Sequence, residues 1–126
     1  MTAAHAKEGS SRLPNPVVHF EINGKDGKAL QRFYRDLFDW HVDDNNPINY
    51  GMVDTHAGGI NGGITEGENS VTVYVEVDDL QAYLDKIGRL GGRTVTPVTV
   101  IPDMVTFATF ADPSGNVVGL VKAEGH

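Results

Sequence analysis

The chain has 126 residues, a formal net charge of -7 and no cysteine, with 40% hydrophobic and 21% charged residues. That length suits one compact domain, or two small modules sharing a core, and such a chain buries about two thirds of the surface it exposes when unfolded. The missing thiols exclude disulfides, zinc fingers, iron–sulfur sites and a cysteine nucleophile; the acidic balance without a basic stripe argues against a nucleic-acid partner; and no apolar run reaches the ~18 residues of a membrane span.

In chain order, residues 1–16 are polar and Pro-punctuated, without the apolar core of a secretory signal. They read as a flexible N-terminal arm on a cytoplasmic protein. Val17 to Asn23 alternates, with Val18, Phe20 and Ile22 on one face and Val17, His19 and Glu21 on the other, the period of a strand. Asp26 is placed to cap a helix whose apolar face is Leu30, Phe33, Tyr34, Leu37 and Phe38. Asp43 to Pro47 is a turn, and Asn49–Thr55 and Gly58–Glu66 read as two more strands. The pattern then recurs. Val71, Val73, Val75 and Val77 form one strand face, and Thr72, Tyr74 and Glu76 the other. Asp78 or Asp79 caps a helix carrying Leu80, Tyr83, Leu84, Ile87 and Leu90, which Gly91-Gly92 ends. Strands follow at Arg93–Ile101 and Met104–Ala111, then a turn at Asp112–Asn116 and a last strand at Val117–Lys122.

Displacing the first half so that His19 falls on Thr72 also puts Asp26 on Asp79 and Leu37 on Leu90. Each half reads strand–helix–strand–strand–strand, so the expected fold is α+β. Two βαβββ modules, about residues 17–66 and 70–122 of a domain covering 17–126, would form an open cup-shaped mixed sheet with the helices outside. Strand parity then turns His19, Glu21, Thr72, Tyr74, Glu76, Val117, Gly119 and Val121 toward the inner face. An imidazole, carboxylates, a phenol and a hydroxyl among apolar walls suit a ligand pocket. The paired glycines Gly58-Gly59 and Gly62-Gly63 lack the lysine and helix of a phosphate loop, and read as close backbone approach or a curved strand.

Four stretches carry a resemblance: His19-Phe-Glu-Ile-Asn-Gly-Lys-Asp26, Gln31-Arg-Phe-Tyr-Arg-Asp-Leu-Phe-Asp-Trp40, Tyr74-Val-Glu-Val-Asp-Asp-Leu80, and Phe110-Ala-Asp-Pro-Ser-Gly-Asn-Val-Val-Gly-Leu120. In this order they resemble the vicinal oxygen chelate superfamily, which includes glyoxalases, extradiol dioxygenases, methylmalonyl-CoA epimerases and bleomycin-resistance proteins. The resemblance implies paired βαβββ modules and, in most members, a divalent metal held by His, Glu or Gln. It puts His19 on a first-strand ligand position, Thr72 where a His is common and Gly119 where a Glu is common. A glycine has no ligand atom and threonine is a poor primary ligand, so no metal or other cofactor is expected here. Thr72→His with Gly119→Glu should then raise metal affinity. A rearranged set built on His19, Glu21 and one of Glu76, His41 or His56 is the metal-dependent alternative, as a lyase or dioxygenase.

Three functions follow. The first is binding of a small, partly hydrophobic organic molecule between the modules. Its lining would be Trp40, Met52, Thr72, Tyr74, Glu76, Met104 and Gly119, with Tyr50 as a further wall, although Trp40, Met52 and Met104 also read as ordinary core filling. The second is a metal-independent isomerase or lyase, with His19 as base, Glu21 as the partner that raises its basicity, and Tyr74 as donor to an oxyanion; His19 reads equally as a hydrogen-bonded strand residue. The third is an interaction protein. The resemblance also implies a homodimer.

Overall fold

A computed structural model describes residues 14–123. The order is β1 (Val17–Gly24), α1 (Gly27–Phe38), β2 (His41–Asp43), β3 (Gly51–Asp54), β4 (Asn61–Glu66), β5 (Ser70–Val77), α2 (Leu80–Arg89), β6 (Arg93–Ile101), β7 (Val105–Ala111) and β8 (Val117–Lys122). This is βαβββ twice, in one open eight-stranded mixed sheet ordered β2-β3-β4-β1-β5-β8-β7-β6. The modules meet edge to edge at the antiparallel β1–β5 pair. Each first strand runs parallel to the last strand of its own module, β1 with β4 and β5 with β8. Among the described residues no helix is long and apolar enough to cross a membrane.

Local chemistry sets the helix ends. Asp26 Oδ1 accepts from the Ala29 amide at 3.1 Å and Asp79 Oδ1 from the Ala82 amide at 3.0 Å, so Asp79 rather than Asp78 caps α2. Gly91, at φ +100°, reverses the chain after α2, where a side chain would be strained. Val77, Leu80, Leu84, Ala108 and Leu120 form the core of the second module, and Val53 and Ile64 are buried in the first.

Several expectations change. His41–Asp43 is a short strand that the sequence pattern did not reveal, and β4 begins at Asn61, after the glycine loop. α1 does not bury its whole apolar stripe: Phe33 is 57% and Leu37 54% exposed. Buried Gln31 faces the sheet instead, donating from Nε2 to the Ile64 carbonyl at 2.8 Å. Val71 and Val73 lie on the helix side as parity requires but remain open. α1 leans mainly on β4 and α2 on β6, so neither helix covers Val71 and Val73 at the seam. Residues 1–13 of the expected arm, and residues 124–126 of the expected domain, lie outside the described residues. Asn15 donates to the Glu76 carbonyl and Pro16 accepts from the Glu76 amide.

Candidate functional site

Strand register brings the inner-face residues together. In β1–β5, His19 stands opposite Tyr74 and Glu21 opposite Thr72; in β5–β8, Tyr74 lies beside Gly119 and Glu76 beside Val121. Directly paired residues share a face, so these side chains converge opposite the helices. β4 adds Asn61 and Gly63 next to His19 and Glu21, and Met52 of β3 follows beyond Gly63.

At the centre is a hydrogen-bonded network. The Tyr50 hydroxyl donates to Glu21 Oε2 at 2.8 Å and lies 2.9 Å from His19 Nε2. The Tyr74 hydroxyl donates to Glu21 Oε1 at 3.4 Å, and Asn23 Nδ2 donates to the same oxygen at 3.1 Å. Tyr74 meets the His19 ring edge-on, with centroids 5.7 Å apart. Tyr50 is held just before β3 by Asn46, whose side chain donates to the Tyr50 carbonyl at 2.6 Å and accepts from its amide at 2.9 Å. Two glycines seat the rings. A Cβ on Gly63 would overlap the far end of the Tyr50 ring, and one on Gly119 would overlap the body of the Tyr74 ring.

Electrostatics follow from burial around one carboxylate. Burial first, then the Glu21 charge, raises both tyrosines: Tyr74 to about 12, and Tyr50 further above the ordinary phenol range. Burial also lowers His19. Glu21 raises the imidazole's basicity, as expected of a neighbouring carboxylate, but burial outweighs it. Tyr50 stands between the two groups, and the imidazole is held neutral. An unfolded imidazole titrates near ~6.5. The folded value is lower, so the unfolded chain takes up the proton first and stability falls as pH drops below ~6.5. Urea unfolding between about pH 7.5 and 5.5 should show this slope, and His19→Gln should flatten it; equal slopes would contradict the burial argument.

The other expected lining residues divide. Thr72 and Glu76 share the network's face, and Met52 reaches it across Gly63. Trp40 does not: it packs on the helix side, stacked on Tyr34 with centroids 5.9 Å apart and against Phe20 and Phe38. Met104 lines a separate hollow of about 270 Å³ with Ile101, Val105 and Lys122. Tyr50 is the member that sequence reasoning undervalued. The signal for it was Gly63, a glycine inside a strand at a face position, which marks close approach of another group.

The family pattern of a glyoxalase-like domain matches residues 19–121. The chain belongs to that family. This glyoxalase-like domain is 32% identical, over 118 residues, to CFP32 of Mycobacterium tuberculosis and of Mycobacterium bovis, a protein provisionally named a glyoxylase; the match covers 84% of this chain. The chain spans only 45% of the length of those relatives. Its fold resembles methylmalonyl-CoA epimerase from M. tuberculosis (TM-score 0.63, 14% identity, covering 86% of this chain and 88% of that one). It also resembles a glyoxalase/bleomycin resistance protein/dioxygenase superfamily member from Vibrio splendidus (TM-score 0.61, 15% identity, covering 87% and 100%). The vicinal oxygen chelate resemblance and the α+β fold read from the sequence both hold.

Members of this superfamily often use a divalent metal, and the residues here do not fit one. His19 Nε2 is engaged by Tyr50, and Glu21 takes three internal donors. The Gly119 position lacks a donor, and the Tyr74 ring lies over it. Among the described residues no three His, Asp or Glu side chains are grouped to hold an ion, so the rearranged set of His19 and Glu21 with Glu76, His41 or His56 does not assemble either.

Proposed function

We propose that this glyoxalase-like domain binds a small, partly hydrophobic organic molecule between its modules, on the sheet face opposite the helices and without a catalytic metal. The observation that carries the reading is the convergence of Tyr50 and Tyr74 on Glu21 across two glycine seats. It builds a polar floor of neutral phenols where metal-dependent relatives place ligand atoms. Beside this floor, β7 and β8 present Phe107, Val117 and Val121 on the same face, an apolar wall next to a few fixed polar groups.

A second reading, metal-independent proton transfer by an isomerase or lyase, is favoured by one observation. His19 is kept neutral by burial and is thus available as a base. Thermal-shift screening of the full chain against neutral, aromatic and cationic metabolites tests both. A ligand at ~100 times its Kd should stabilise the protein by about 2.7 kcal/mol. With that ligand, His19→Ala should weaken binding modestly if the domain is a binder, or abolish turnover with binding kept if it is an enzyme. A flat result across the panel would overturn both and favour an interaction protein.

A further inference from the structure

The His19–Tyr50–Glu21 chain has two contacts at one hydroxyl, and a phenol has one proton. Burial and the neighbouring carboxylate keep that proton on Tyr50. Were it donated to His19, Glu21 Oε2 would itself need a proton to keep its 2.8 Å contact. Glu21 Oε1 accepts from Asn23 and Tyr74, as an acceptor-only carboxylate does. The consistent placement sends the Tyr50 proton to Glu21 and leaves Nε2–H of His19 donating to the Tyr50 oxygen. Among the described residues nothing hydrogen-bonds Nδ1 of His19, while Nε2 has its partner.

We propose that Tyr50 is a positioning residue: it fixes His19 in the Nε2–H tautomer and leaves Nδ1 as the imidazole's acceptor, so that a ligand meeting His19 brings a hydroxyl or amine donor. The last clause rests on the ligand-site reading above; the tautomer does not. Glu21 and Glu76 on the same face suit a neutral or cationic donor and repel a carboxylate ligand.

Long-range ¹H–¹⁵N correlation on the ¹⁵N-labelled full chain, above the imidazole's ordinary ~6.5, tests this, with His19→Gln assigning the signals. Wild-type protein should show a protonated, pyrrole-type Nε2 and a pyridine-type Nδ1, with an Nε2–H proton slow to exchange with water. Tyr50→Phe should lose that protection, because the acceptor is gone. A wild-type Nδ1–H tautomer at His19 would overturn the proposal whether or not Tyr50→Phe folds, and so would equal Nε2–H protection in Tyr50→Phe. The spectrum judges the tautomer alone, whereas the thermal-shift panel judges the binding reading.

Discussion

Gly119→Ala is expected to destabilise the protein by about 3 kcal/mol, the upper part of the range for forcing atoms into a packed site, and to lower Tm by roughly 10 °C. The added carbon meets the body of the Tyr74 ring, close to its own backbone, where the ring has little room to swing. Tyr74 is also buried, at 7% exposure, between His19 and β8. In a Tyr74→Ala background the same change should cost under ~1 kcal/mol, since the two positions compete for one space and their effects are not additive. Denaturant unfolding of the four proteins checks this; equal costs in both backgrounds would show that the ring does not use the glycine seat. The consequence for metal design is direct. Thr72→His with Gly119→Glu should unfold the protein more readily and gain no metal affinity, contrary to what the sequence resemblance alone predicts.

Gly63→Ala should cost about 2 kcal/mol by a different route. The overlap is with the far end of the Tyr50 side chain, which can move aside, but only by giving up its contacts with His19 and Glu21. Those are two hydrogen bonds at ~1 kcal/mol each. Tyr50→Phe loses the same bonds while keeping the ring. Gly63→Ala in the Tyr50→Phe background should therefore cost much less than in wild type. A cost unchanged by Tyr50→Phe, read from urea midpoints, would mean that steric strain rather than the hydrogen bonds sets the penalty.

The repeat was legible because its signals are local. Strand alternation, the Asp26 and Asp79 caps and the Gly91 stop each depend on neighbours a few residues away. The inner-face parity of His19, Glu21, Thr72, Tyr74 and Glu76 followed from period two and a single antiparallel join. What escaped was non-local. β2 is three residues long and is defined only by its pairing with β3. Tyr50 reaches His19 from a loop bracketed by Asn46, which no periodicity announces. Trp40 sits where the chain leaves α1, and its packing on Tyr34 and Phe38 depends on how that helix lies on the sheet. In sequence Gly63 reads as close backbone approach or a curved strand, and in the fold a side chain approaches there. Gly119 reads as a missing ligand by resemblance, and in the fold it is also the seat of a ring.

On the proposed reading, tyrosines lie over the positions where the sequence resemblance puts metal ligands. The metal content of wild-type protein decides whether that is so. Protein prepared without an affinity tag should be equilibrated with excess zinc, nickel, manganese or iron(II), dialysed, and analysed for bound element. Far less than one ion per chain is expected for each metal. One ion per chain that survives dialysis and is lost in His19→Ala would contradict the reading.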